Sequence, residues 1–291
     1  MITTLQVEPP SRQAAGNRLR TAIAREGLVP LVGVYDVFSA TLAAEHFEGL
    51  FVSGFGFGAS HYGLPDIGFN SWSDIVAFVH RIRTVLPAHH IVVDIDDGFA
   101  DVAVACHVVS LLEAAGASGI ILEDQARPRR CGHLGGKRIL GLVEVLEKLN
   151  RVLQTRCSLF VVARTDASDR QEIFERVAAY SETAAAAILV DGIDGNLLSE
   201  IRSVTDKPLA FNQIAGGASP ALSFTELRGA GVSLAIYSTP CLFAAQGAIT
   251  DSLQALKAQS GLDGNSRGVC LRDCQNVLEA NLLRRDSPGH P

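Results

Sequence analysis

Gly119-Ile120-Ile121-Leu122-Glu123-Asp124 is a short, unbroken apolar run that ends in two carboxylates. Its length and lack of polar–apolar alternation predict a strand of a parallel sheet covered on both faces. Seven more runs share this character: Leu31–Val34, Leu50–Val52, Ile91–Val93, Leu159–Ala163, Ala187–Val190, Pro208–Phe211 and Leu234–Ile236. Helix-like segments are interleaved with them, among them Ser71–Val85, Asp101–Ala115, Leu142–Leu153 and Leu242–Ala258. Repeated strand–helix units predict a (β/α)8 TIM barrel, with a doubly wound open sheet as the alternative. The strand ends weigh toward the barrel. They carry Tyr35-Asp36, Ser53, Asp94, Asp96 and Asp97, Glu123-Asp124, Arg164 and Asp166, Asp191, Asn212-Gln213 and Tyr237-Ser238. In a barrel these groups converge on one mouth, whereas an open sheet would string them along an edge.

The rest of the 291 residues divides around this core. Residues 1–28 read as a leader plus a helix, Arg12–Arg25, suited to the barrel bottom. Residues 29–261 form the barrel. Residues 262–291 read as a loop, a helix near Val269–Leu283 and a frayed tail, an extension suited to packing on, or exchanging with, a neighbouring subunit. Hydrophobic residues make up 47% and charged residues 19%, which places the chain among globular proteins. A net charge of −6 without a long basic run argues against nucleic acid as partner. The six cysteines are scattered and read as free thiols; Cys270 and Cys274 lack the further Cys or His of a zinc site. No apolar run reaches membrane-spanning length and the N-terminal stretch is polar, so a cytoplasmic location without membrane contact is expected.

Three motifs carry chemistry. Arg129-Arg130-Cys131-Gly132-His133 places a thiol among cations and an imidazole, where positive charge is expected to lower the thiol pKa and make Cys131 a nucleophile, general acid or base. Asp94-Ile95-Asp96-Asp97-Gly98 ends one strand, and Glu123 ends the next. Clustered carboxylates repel unless a cation lies between them, and hard oxygen donors suit Mg2+ or Mn2+. An acidic cap on the following helix is the plain alternative. Ser53-Gly54-Phe55-Gly56-Phe57-Gly58 reads as a glycine-rich turn whose N–H groups could cradle an anion; Ala59 spoils a dinucleotide fingerprint. Arg164 suits bidentate carboxylate binding or an ion pair with Asp166 or Asp191. His61, His89, His90 and His107 have no ligand spacing.

Together, Tyr35-Asp36, Val52-Ser53-Gly54, Gly63-Leu64-Pro65-Asp66, Asp94-Ile95-Asp96, Leu122-Glu123-Asp124-Gln125, Arg130-Cys131-Gly132-His133, Ala163-Arg164-Thr165-Asp166 and Asn212 resemble the isocitrate lyase/phosphoenolpyruvate mutase superfamily, in its 2-methylisocitrate lyase-like branch. The resemblance implies a (β/α)8 barrel, a homotetramer with helix exchange, and Mg2+ held largely through waters by Asp94, Asp96 and Glu123. It implies small di- or tricarboxylate substrates, or their phosphonate analogues, reacting through a pyruvate-type enolate. Cys131, Arg164, Glu123, His133 and Arg129 become the catalytic candidates. Tyr35, Ser53, Gly54, Phe55, Asp66 and Asn212 become the substrate contacts. The expected activity is carbon–carbon cleavage. Carbon–phosphorus chemistry of the carboxyphosphonoenolpyruvate mutase type, oxaloacetate decarboxylation and a non-catalytic dicarboxylate-binding protein are the alternatives. Three departures stand out: Arg129 where the lyases carry Lys, Asp97-Gly98-Phe99-Ala100 in place of Thr-Gly-Tyr-Gly, and Asp191 where Glu is common.

Overall fold

The computed structural model describes residues 14–133, 135–261 and 268–285. Eight parallel strands close into a barrel in chain order: β1 (Val29–Val34), β2 (Gly49–Val52), β3 (His90–Asp94), β4 (Gly119–Glu123), β5 (Phe160–Thr165), β6 (Ala187–Val190), β7 (Leu209–Gln213) and β8 (Val232–Tyr237), with β8 pairing β1. The open sheet is thereby excluded. The helices are α1 (Ala15–Glu26), α2 (Val37–Ala44), α3 (Gly54–Tyr62), α4 (Trp72–Val85), α5 (Val102–Ala114), α6 (Leu142–Thr155), α7 (Arg170–Ser181), α8 (Gly195–Arg202), α9 (Phe224–Gly229), α10 (Pro240–Ala258) and α11 (Leu271–Arg285).

Strand alternation sorts the core into two layers. Outward residues such as Val32, Val34, Ile91, Val93, Ile120 and Leu122 pack beneath the helices. Inward residues Val29, Leu31, Phe51, Val92, Ile121, Phe160, Val162 and Leu189 fill the lumen together with Leu19 and Ala22 of α1. Helix α1 therefore stoppers the N-terminal end, and Arg20 Nη1 donates to Ser158 O at 2.5 Å to hold it there. Truncating the fully buried Leu19 to Ala would cost about 2–5 kcal/mol. The expected helix start at Arg12, the leader before it, the 262–267 loop and the tail beyond Arg285 lie outside the described residues. Helix α11 packs on α2 and α4 of its own chain, with Asn281 Nδ2 donating to Thr41 Oγ1 at 2.9 Å.

One expectation is corrected. The glycine-rich stretch after β2 is not a turn but helix α3. Ser53 caps it, accepting from Gly56 N at 3.3 Å, and Gly63 ends it in the left-handed region. Glycine weakens a helix in isolation, but here it is needed for close approach: a Cβ on Gly54 would stand 2.9 Å from Asp96 Oδ1. Tertiary contact with the acidic strand end overrides local propensity.

Candidate active site

The C-terminal end of the barrel is closed by the loop between β4 and α6. Glu123 and Asp124, adjacent on an extended strand, diverge. Glu123 faces the barrel axis. Asp124 faces outward, where it accepts from Arg176 Nη1 at 2.9 Å, Tyr180 OH at 3.2 Å and Asp166 N at 2.9 Å. On β3, Asp94 Oδ1 accepts from Asp96 N at 3.1 Å, and Asp96 sits at φ +52°, so the chain turns and brings both carboxylates to the same side. Glu123 N donates to Asp96 O at 3.0 Å, locking the two strand ends together. Asp94, Asp96 and Glu123 are all buried, and burial pushes their carboxyls upward, Asp96 and Glu123 strongly so, against the pull of Arg129 and Arg164.

Arg129 enters this cluster from the β4–α6 loop. Nε donates to Glu123 Oε1 at 3.0 Å, Nη1 pairs with Asp66, and Nη2 lies 3.1 Å from Asp96 Oδ1. Burial works against its charge, but these carboxylates outweigh it and hold the guanidinium protonated. Asp97 is turned away. Arg127 grips it through Nε at 2.8 Å and Nη2 at 3.1 Å, and Lys148 Nζ donates to its backbone oxygen at 3.0 Å. Arg127 thus pairs with the Asp97 charge, which still adds to the upward push on Asp96.

The loop is anchored on both sides of Cys131. Gln125 takes Arg130 like a backbone partner, donating from Nε2 to its carbonyl at 2.8 Å and accepting from its N–H at 2.8 Å. His133 Nδ1 accepts from Ala218 N at 3.0 Å. The Nε2 proton then faces Asp191 Oδ1 at 3.5 Å, to which Asn212 Nδ2 also donates at 3.0 Å. Between these anchors Cys131 is buried. The expected thiol shift is reversed: burial pushes Cys131 up to about 11. The neighbouring arginines do not prevent this because their charge is spent on carboxylates, while Asp66 and Asp191 push the same way as burial. The thiol is therefore neutral and can give up a proton.

Arg164, at the end of β5, makes both expected ion pairs. Nε donates to Asp166 Oδ2 at 3.1 Å; Nη2 donates to Asp166 Oδ1 at 3.0 Å and Asp191 Oδ2 at 2.8 Å, and lies 3.4 Å from Glu123 Oε2. Burial would raise the Asp191 carboxyl, but Arg164, His133 and Asn212 hold it well below the usual range. Ser238 Oγ donates to Asn212 Oδ1 at 2.7 Å, tying β7 to β8.

These elements surround a narrow cleft. Ser53, Phe55, Asp66, Asp94, Arg129, Cys131, His133, Arg164 and Asn212 line it; Tyr35, Gly54, Asp96 and Glu123 do not. Gly54 and Asp96 face each other behind the lining, Glu123 lies under Arg129 and Arg164, and Tyr35 stands at the start of α2, where its N–H donates to Ser39 Oγ at 3.1 Å. Phe51, Ile121, Leu189, Ile214 and Ile236 supply apolar wall. Gln125, Lys137 and Ser238 escaped the sequence-based selection. Lys137 Nζ donates to Gly132 O at 2.5 Å and Asp166 Oδ1 at 3.2 Å. Gln125 had a signal in the Leu122-Glu123-Asp124-Gln125 motif and Ser238 in its place at a strand end; Lys137 had none.

The carboxylates fit a hydrated divalent cation. Asp96 Oδ1 and Glu123 Oε2 are buried and accept no hydrogen bond, since the nearby guanidiniums approach them off-axis. Asp66, Asp94, Asp96, Glu123, Asp166 and Asp191 outweigh Arg129, Arg164 and Lys137 in charge. Among the described residues no three acidic, His or Cys side chains gather tightly enough to ligate one ion directly. Oxygen donors spaced apart suit Mg2+, which keeps several waters.

Residues 19–257 match the family described as phosphoenolpyruvate phosphomutase. The chain belongs to that family. Among its relatives, the 2,3-dimethylmalate lyase of Eubacterium barkeri is 30% identical over 251 residues, covering 82% of this chain and 85% of that protein. The 2-methylisocitrate lyase of Bacillus subtilis (strain 168) is 30% identical over 244 residues, covering 81% and 79%. An oxaloacetate acetylhydrolase, solved with the inhibitor 3,3-difluorooxalacetate, superimposes with a TM-score of 0.87 at 27% identity over 93% of this chain and 94% of that one. The candidate site lies at the C-terminal face, where such barrels place their chemistry.

Proposed function

We propose that this phosphomutase-family protein is a Mg2+-dependent carbon–carbon lyase. It cleaves a small 2-hydroxy (or 2-oxo) di- or tricarboxylate and releases a pyruvate-type enolate, which is then protonated. The observation that carries this reading is the neutral, buried Cys131 thiol in the same cleft as Asp94, Arg164 and Asn212. A protonated thiol beside an anion-binding wall suits proton delivery to a carbanionic carbon. Arg164 and Asn212 orient the substrate's carboxylates, and N–H groups at the start of α3, capped by Ser53, receive another. Closure of the β4–α6 loop excludes water. Asp94, Asp96 and Glu123 would hold Mg2+ through waters, and that ion would supply Lewis-acid stabilisation of developing enolate charge. The lyase names of two relatives support this assignment.

Two other reactions fit the same wall: phosphonate rearrangement, which the family's description favours, and carbon–carbon hydrolysis of oxaloacetate, which the acetylhydrolase likeness favours. Proton and phosphorus NMR of the purified protein, with Mg2+ or with EDTA, separates them. Metal-dependent pyruvate from 2-methylisocitrate or 2,3-dimethylmalate supports the lyase. Oxalate and acetate from oxaloacetate, or a phosphorus shift from phosphonopyruvate alone, replaces it. No helix among the described residues is long and apolar enough to cross a membrane. The expected homotetramer remains part of this proposal. It is supported by exposed Ile249 and Leu253 on α10 and Leu282 and Leu283 on α11.

A further inference from the structure

We propose that Arg129 is a tethered cation that competes with the divalent metal for Asp96 and Glu123, so that metal binding and the position of the β4–α6 loop are linked. The inference rests on the metal reading above and deepens it. Arg129 is fully buried and bridges three carboxylates from three separate segments: Asp66 before α4, Asp96 after β3 and Glu123 on β4. Its Nε and Nη2 address the same two residues whose other or same oxygens, Glu123 Oε2 and Asp96 Oδ1, are left without a hydrogen bond. The guanidinium thus satisfies part of the cluster's charge and leaves donors facing the centre.

Lysine at this position would place one point charge and could withdraw along a flexible stem. Arginine presents a planar fork that engages several carboxylates at once and stays protonated. Here the fork comes from the loop that carries Cys131, two residues on, and Gln125 fixes the backbone between them by its paired bonds to Arg130. A divalent ion entering among Asp94, Asp96 and Glu123 repels Arg129 and withdraws its partners. By linkage, whatever Arg129 takes from metal affinity, metal takes from the closed loop.

The test uses Mn2+ as probe, with binding read by electron paramagnetic resonance, and site-resolved alkylation of Cys131 read by mass spectrometry. The proteins are wild type, Arg129→Met, Arg129→Lys and Gln125→Ala. The expected result is Mn2+ binding at least about fivefold tighter in Arg129→Met than in wild type, with Arg129→Lys between them. Mn2+ should speed Cys131 alkylation in wild type and leave it unchanged in Arg129→Met, where it is already fast. Gln125→Ala alters no charge but frees the loop, so it should shift both readouts in the same direction. It decides the matter if Arg129→Met does not fold. Equal or weaker Mn2+ binding in the variants overturns the competition while leaving the metal site standing. Absence of Mn2+ binding in every protein overturns the metal reading and this inference together.

Discussion

Gly132 lies against Asp191 so closely that a Cβ on the glycine would stand 2.0 Å from Asp191 Oδ2, and 2.1 Å from Arg164 Nη2. Neither partner can retreat, because each is fully engaged with the other at 2.8 Å. Gly132→Ala must therefore lift the loop and carry Cys131 away from the cleft. A displacement of about 1 Å at a reacting group can cost on the order of 100-fold. Steady-state kinetics should show at least that loss in kcat. Thermal unfolding should change little, since the barrel core is untouched.

Cys131 is protonated throughout the neutral range because burial raises its pKa to about 11. Three results are expected. Alkylation at pH 7 should modify the exposed Cys157 and Cys270 well before Cys131, read by peptide mapping. The pH profile should have an alkaline limb, activity falling as pH rises toward the thiol pKa and its proton is lost. Cys131→Ser should abolish turnover while ligand binding persists. Full activity in that variant would remove Cys131 as the proton donor.

The strands were legible because a parallel sheet buried on both faces demands unbroken apolar runs, and β4 or β6 has no other reading. The polar strand ends were legible for the same reason: they mark where burial stops. Helix α3 was not, since its glycines serve Asp96 and Asn70 across the mouth and not the local chain. The direction of the Cys131 shift was not, because Arg129 and Arg164 look available in sequence and are spent on carboxylates from distant segments in the fold. Lys137 lies in a loop with no pattern, and only closure brings it to Gly132 and Asp166.

Ala100 holds φ +74°. This is a left-handed conformation that costs an ordinary L-residue roughly 1–2 kcal/mol, and glycine adopts it freely. Part of the gain is lost to the greater freedom of glycine in the unfolded chain, about 0.4–1 kcal/mol. Ala100→Gly should therefore stabilise the protein by about 0.5–1 kcal/mol, raising Tm by roughly 1–3 °C in calorimetry.

Glu123 and Asp124 should separate function from stability. Asp124 is sealed beneath Arg176 and Tyr180. Asp124→Asn leaves buried Arg176 with only the partly exposed Glu172 as ion partner and should cost about 3 kcal/mol in urea unfolding. Glu123→Gln removes a carboxylate that burial strongly disfavours, and Arg129 and Arg164 keep Asp66, Asp96, Asp166 and Asp191 as partners, so the fold should be as stable as wild type in EDTA while activity and Mn2+ binding are lost.

Metal removal should show its effect through pH. Burial raises the folded-state pKa of Asp94, Asp96 and Glu123 above their unfolded values. Between the two values the folded protein holds more protons, so stability falls with rising pH. In EDTA, the stability these groups contribute is therefore present below their unfolded pKa and lost as pH climbs through their raised folded pKa. Mg2+ compensates the carboxylate charge only once the protons have gone. The rise in Tm on adding Mg2+ should accordingly be small at pH 5 and larger at pH 8. At a concentration 100 times Kd it corresponds to about 2.7 kcal/mol. Calorimetry in Mg2+ and in EDTA across that range checks the sign. An equal metal-induced shift at both pH values would mean that these three carboxylates are not the ones that hold the ion.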